Sequence, residues 1–240
     1  DESRGWAIDL EHLERQVGSR TRAIVLISPH NPTGMVASMS QLHELSALAA
    51  RYEVPIIADE VFSEFLFGHD AIPRPAFTDA PLVFTLNGFS KMFALPGMKI
   101  GWIGVSGDDA LVDKALSALE LISDTFLPVN ETVQFAVPQI FAQGKAFLAQ
   151  YKQWIAQRRN AAVECLSGCR FAAPEGGFYI TLRVSQDEEE AALRLLRDKH
   201  ILVHPGYFYE IAPDHLVMTF IQNADDLRRA FTAIAELGRE

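Results

Sequence analysis

Two apolar runs flank one amphipathic helix: Arg22-Ala23-Ile24-Val25-Leu26-Ile27 before it and Val54-Pro55-Ile56-Ile57-Ala58-Asp59 after it. Neither alternates polar with apolar, and the second reads as a strand buried on both faces. The helix between them, Ser40 to Tyr52, turns Leu42, Leu45, Leu48 and Ala49 inward. Strand, helix, strand with near-continuous apolar strands predicts an α/β fold: a mainly parallel sheet with helices packed on its faces. A third run, Leu82 to Leu86, ends in a turn, and Lys99 to Val105 is expected as a further strand. Sheets of this kind bind ligands beyond the carboxyl ends of their strands. Asn31, Asp59 and Lys91 each fall at or just past such an end. Three polar groups from three strands are therefore expected to meet in one crevice.

The flanking segments add a second layer of organisation. Ile8 to Val17 has helical apolar spacing behind Asp9, a short surface helix with an N-cap. Asp108 to Thr125 reads as helix, followed by Pro128. Val133 to Ser167 is mostly helical and long enough to bridge two lobes. Beyond it the pattern changes to strands at Phe171-Ala172 and Gly177 to Leu182, a helix from Asp187 to His200, and a strand at Ile201-Leu202-Val203. A strand from His215 to Ile221 and a closing helix from Ala224 to Leu237 behind Asn223 complete the chain. This predicts a small C-terminal α+β lobe with antiparallel pairing.

A net charge of −10 argues against a general nucleic-acid or anionic-membrane surface, so neither partner is expected. Cys165 and Cys169 have no further metal ligands nearby, and neither a disulfide nor a zinc site is expected. No apolar stretch reaches about eighteen residues and no signal-like leader is present, which makes the cytoplasm the default expectation. The chain opens on Asp1 rather than methionine, with its first strand only near Arg22, and reads as N-terminally incomplete.

Lys91 follows Ser90 in a turn between an aromatic residue and an apolar segment. Burial there favours the neutral amine, the form that condenses with an aldehyde. Taken together, Asn31-Pro32-Thr33-Gly34, Asp59-Glu60-Val61, Ser90-Lys91 with Pro96-Gly97 and Gly101-Trp102, and Pro174-Glu175-Gly176-Gly177-Phe178-Tyr179 resemble the class I/II aminotransferases of the fold type I superfamily. The resemblance implies pyridoxal 5′-phosphate as cofactor and transfer of an amino group between an amino acid and a 2-oxo acid. It implies that Lys91 holds the cofactor as a Schiff base and moves the proton at the substrate α-carbon. Asp59 would pair with the pyridine nitrogen, Asn31 would donate to the 3′ oxygen, and Ser90 and Lys99 would face the phosphate. Residues 1–135 would form the C-terminal part of the large cofactor-binding domain, 136–168 a connecting helix and 169–240 the small domain. A homodimer is expected of the full-length protein.

Three departures from the family pattern bear on function. Phe62 stands where a tyrosine usually offers the 3′ oxygen a second donor, leaving that contact apolar. Lys99 replaces an arginine on the phosphate, keeping the charge but losing the fork. Val217 occupies the place of the arginine that clamps the substrate carboxylate; His204 is a candidate replacement, with Arg183 and Arg74 weaker ones. Because the resemblance puts the rest of the phosphate cradle ahead of Asp1, this chain alone is expected to bind the cofactor weakly or not at all. A fold type I carbon–sulfur lyase and an aminotransferase-like effector domain of a transcription regulator are the alternatives.

Overall fold

The computed structural model describes residues 5–126 and 128–238; Asp1, where the chain opens, lies outside them. Two four-stranded sheets organise these residues. The first runs in the order β1 (Ile24–Ile27), β2 (Ile56–Asp59), β3 (Leu82–Gly88) and β4 (Gly101–Gly107). β1, β2 and β3 are parallel, with Ile27, Asp59 and Leu86 in register, so the three strand ends lie side by side. β4 returns antiparallel to β3, an antiparallel edge on the otherwise parallel sheet that was expected. It also starts later than the sequence pattern predicts. Lys99 has φ 51° and ψ 41°, a left-handed turn after the 3-10 segment Pro96–Met98, and only Gly101 enters the strand.

Helices α1 (Leu10–Gln16) and α2 (Met39–Arg51) pack on one face of this sheet. Leu42, Leu45, Leu48 and Ala49 of α2 meet Ile24, Leu26, Ile56 and Ala58 in a single cluster. α2 begins in a capping box: the Ser38 side chain accepts from Gln41 N, and the Gln41 side chain accepts from Ser38 N. The expected burial of both faces is not met. Val25 is 65% exposed and Ile57 is half-buried, because the two helices cover only the face bearing Ile24 and Ile56.

α4 (Asp109–Thr125) follows β4, and α5 (Glu131–Cys165) runs from the first sheet to the second. α5 is joined to the short helix α3 (Phe89–Met92), which carries Lys91, by aromatic packing: Phe141 meets Phe89 and Phe93 edge-on at 5.1 and 5.8 Å between centroids. Gly144 permits this approach, since a Cβ there would stand 2.6 Å from the Phe93 ring.

The second sheet has the order β5 (Arg170–Phe171), β6 (Tyr179–Arg183), β8 (His215–Thr219) and β7 (His204–Pro205), all antiparallel as expected. The apolar run Ile201-Leu202-Val203 is not the strand. The Ile201 N–H is taken by Leu195 O as α6 (Glu188–Lys199) ends through His200 in a left-handed conformation, so pairing with β8 starts only at His204. α7 (Ala224–Gly238) closes the core with Leu227, Phe231 and Ile234 against Ile180, Leu182 and Leu216. Cys165 and Cys169 form no disulfide.

Candidate active site

Beyond the ends of β1, β2 and β3 the backbone is tied together before any side chain acts. Ser28 N donates to Asp59 O at 3.1 Å, and Glu60 N donates to Leu86 O at 3.0 Å. Asn87 donates from Nδ2 to both Glu60 O and Ser63 Oγ at 3.1 Å. The loop after β1 folds on itself through His30 N to Met35 O and Gly34 N to His30 O. Gly34 has φ +71°, and a Cβ there would lie 2.4 Å from Pro174 Cβ. Its carbonyl accepts from both Glu175 N and Gly176 N at 2.9 Å, which fastens the Pro174–Tyr179 segment to the Asn31 loop.

Into this frame project the predicted residues. Asp59 is half-buried and its carboxylate accepts from Val61 N at 3.1 Å, with no cation paired to it among the described residues. Lys91 is half-buried too. Its Nζ makes no hydrogen bond or ion pair among the described residues and lies 5.5 Å from the Phe62 ring centroid. Phe62, 3% exposed, is wedged between Phe178 and Tyr179 at 5.1 and 6.0 Å. Asn31 Oδ1 is buried and accepts no hydrogen bond. Lys91 thus lies against Phe62, three residues after Asp59, and Asn31 sits on the loop that follows β1. Ser90 and Lys99 are both exposed.

Two of the candidate replacements for a carboxylate clamp, Arg74 and His204, are engaged elsewhere. Arg74 pairs with the buried carboxylate of Glu60, and its guanidinium pKa is lowered by burial. His204 Nδ1 shares a hydrogen bond with the Tyr209 hydroxyl at 2.8 Å. Burial, and then the neighbouring Tyr179, pushes the Tyr209 hydroxyl up from its ordinary value. The Glu60–Arg74 pair was not anticipated from the sequence. A glutamate directly after a buried strand was the available signal, but its partner fourteen positions on in an irregular segment carries none.

His30 is held below its ordinary value of 6.5 by burial alone, with Nδ1 2.8 Å from Thr33 Oγ1. Between the folded and unfolded values the unfolded chain binds the proton and the folded chain does not, so stability rises with pH across that window. As pH falls from the unfolded value through the folded one, this contribution is lost. Urea unfolding of His30→Asn is expected to show a shallower fall in midpoint below pH 7 than the parent chain.

The profile of the family Aminotransferase class I and II matches residues 1–234. The chain belongs to that family. It is 27% identical to the tyrosine aminotransferase of Dictyostelium discoideum, covering 98% of this chain and 60% of the relative. It is 29% identical to the alanine aminotransferase of Mycobacterium tuberculosis, covering 96% and 57%. Among solved structures, the alanine aminotransferase from Pyrococcus furiosus superposes with a TM-score of 0.87 at 25% identity, over 98% of this chain and 62% of that one. The chain therefore has the fold type I architecture and spans about 60% of the length of the curated relatives it matches.

Family members depend on pyridoxal 5′-phosphate, and the residues present fit that group. An aldehyde requires an amine free of ion pairs, and Lys91 Nζ has none among the described residues. A pyridinium N–H requires a carboxylate without a cation, which Asp59 supplies. A ring hydroxyl requires a nearby polar side chain with spare capacity, which Asn31 retains. Among the described residues no helix is long and apolar enough to cross a membrane, and no His, Cys, Asp and Glu cluster could hold a metal ion.

Proposed function

We propose that this chain carries the catalytic half of a pyridoxal phosphate-dependent aminotransferase acting on an amino acid and a 2-oxo acid. The observation that carries this reading is the coexistence of a half-buried amine against Phe62 and a half-buried carboxylate at the end of β2, neither with an ionic partner among the described residues. When bound, the protonated pyridine ring supplies an electron sink for the carbanion formed at the substrate α-carbon.

The chain's own residues account for the remaining work. Asp59 holds the proton on the ring nitrogen, which a cleft of low dielectric would otherwise strip away. Lys91 would hold the cofactor covalently and would move the proton at the substrate α-carbon as general base and acid. Asn31 orients the ring through its 3′ oxygen, and Phe62 lies under Nζ, 5.5 Å away at its ring centroid. Ser90 and Lys99 offer the phosphate a hydroxyl and a point charge. Residues 1–135 would serve as part of the large domain, 136–168 as the connecting helix and 169–240 as the small domain. The full-length protein would act as a cytoplasmic homodimer.

Reductive trapping tests the reading even where binding is weak, because each turnover of borohydride locks in the bound fraction. After incubation with pyridoxal phosphate and reduction, peptide mapping is expected to find the phosphopyridoxyl group on Lys91. Equal labelling of exposed Lys99, Lys114 and Lys145, with no preference for Lys91, would overturn it.

A further inference from the structure

The loop that carries Asn31 is fastened from two sides. Its ends belong to the first sheet, where Ser28 N donates to Asp59 O and Ala37 N donates to Ser28 Oγ, both at 3.1 Å. Between those ends, alternate residues turn to β6 and the segment before it. Pro32 O accepts from Thr181 Oγ1 at 3.1 Å. Gly34 O accepts from Glu175 N and Gly176 N at 2.9 Å, and Val36 N donates to Glu175 Oε2 at 3.1 Å. Strand pairing sets the face of the second sheet that makes this contact. Thr181 stands opposite Val217 and Tyr179 opposite Thr219, and directly opposed residues share a face. Tyr179 of that row meets Phe62 edge-on at 6.0 Å, while the alternate residues Ile180, Leu182, Leu216 and Met218 pack in the hydrophobic core.

No hydrogen bond among the described residues holds the Asn31 side chain, and its Oδ1 is buried without a partner. Its direction is therefore set by the backbone of its loop, which decides the rotamers open to it. Two of the four bonds from the β6 side join backbone to backbone and survive any change of side chain. The other two come from the Thr181 hydroxyl and the Glu175 carboxylate. Pro32 follows Asn31 directly, so the Thr181 bond acts within one residue of the side chain it steadies. Pro32 is buried and Thr181 is 2% exposed, so a Pro32 carbonyl that lost this donor must move or stay unpaired.

We propose that Thr181 and Glu175 are positioning residues for Asn31: through Pro32 and Val36 they hold the loop so that the Asn31 amide is aimed at the 3′ oxygen of the cofactor. This rests on the cofactor reading given above, so one readout uses no ligand. In the unliganded full chain, the Asn31 side-chain amide resonances are assigned by their absence in Asn31→Leu. They are expected to move in Thr181→Val, which keeps the shape and removes the donor, and in Glu175→Ala. They are expected to stay in Thr181→Ser and Glu175→Gln, which keep the hydroxyl and an acceptor oxygen. Glu175→Gln also removes the charge that faces His69 Nε2 at 4.0 Å, so unmoved resonances there assign the effect to Val36.

The parent and the four variants are then titrated, by amide chemical shifts, with pyridoxine 5′-phosphate and 3-deoxypyridoxine 5′-phosphate, which differ only in the 3′ oxygen. The parent is expected to bind the first about fivefold more tightly, the size of one buried hydrogen bond. Thr181→Val and Glu175→Ala are expected to lose that ratio, and Thr181→Ser and Glu175→Gln to keep it. A general loosening of the chain would weaken both ligands together and leave the ratio in place. Resonances or a ratio unchanged in Thr181→Val and Glu175→Ala overturn the proposal, as does an equal change in the serine and glutamine variants. Should Thr181→Val fail to fold, Glu175→Ala decides alone, since the Glu175 side chain is exposed. A parent chain that binds the two ligands equally, or neither, overturns the part given to Asn31 in the cofactor reading, whereas the resonances alone decide whether the two residues hold it.

Discussion

Replacing Lys91 with alanine is expected to abolish phosphopyridoxyl labelling at that position and to lower the amino-transfer rate of the full assembly roughly a thousandfold or more. General acid–base catalysis alone contributes about a hundred- to ten-thousandfold, and Lys91 also provides the covalent link, so the two losses compound. The fold should survive. Among the described residues the Lys91 side chain makes no hydrogen bond or ion pair, and it lies 5.5 Å from the Phe62 ring centroid, a cation–π interaction contributing about 1 kcal/mol or less at a partly exposed site. α3 is anchored by its neighbours, since Phe89 and Met92 are buried and Phe89 packs on Trp102 and Phe141. The urea midpoint of Lys91→Ala should therefore lie close to that of the parent while labelling disappears. Lys99→Ala is the contrasting control. Lys99 is exposed on a left-handed turn, so its loss should weaken labelling of Lys91 without removing it. A Lys91→Ala variant that retained transfer at a tenth of the parent rate would end the assignment of that amine.

What could be read from the residues, and what could not, divides along physical lines. Helices with a polar cap and a one-sided apolar stripe were legible: Asp9 caps α1 and Asn223 Oδ1 accepts from Asp226 N at the start of α7, whereas the Ser38 and Asp187 caps of α2 and α6 were not read from the residues. Asp59 and the approach to Lys91 were legible because one apolar strand ends in a charge at Asp59 and the other in a turn at Asn87-Gly88. Strand direction was not legible. The run after Lys91 reads the same whether it joins the sheet parallel or reversed, and the return of the chain through Pro96–Met98 decides it. The displaced strand at His204 has the same origin in backbone accounting: Ile201 has the composition of a strand, but its N–H is committed to the helix before it. The row Tyr179, Thr181 and Val217 was invisible for another reason. Its meaning lies in which face of the sheet meets Pro32, a contact across 149 positions of sequence.

Arg74→Ala is expected to cost about 3–5 kcal/mol of folding stability, the loss associated with stranding one member of a buried ion pair. Glu60 is 1% exposed and Arg74 is its only ionic partner among the described residues. The surrounding backbone gives the carboxylate nowhere to go, because Glu60 N is held by Leu86 O and Glu60 O by Asn87 Nδ2. The cost is one of burial rather than of attraction, and a second variant separates the two. In Glu60→Gln with Arg74→Met, both charges are gone and similar volumes remain, so the double variant should recover most of the stability lost by Arg74→Ala alone. Urea unfolding of the parent, both single variants and the double variant supplies the coupling between the sites. A loss below about 1 kcal/mol in Arg74→Ala would mean that water reaches Glu60 and that the pair behaves as a surface one. The location of the pair ties this measurement to function. Glu60 lies between Asp59 and the turn that delivers Phe62 beneath Lys91, so a carboxylate forced outward would carry both away from the amine. Arg74→Ala should therefore lower the yield of labelled Lys91 under conditions where the chain remains folded, whereas the double variant should restore it.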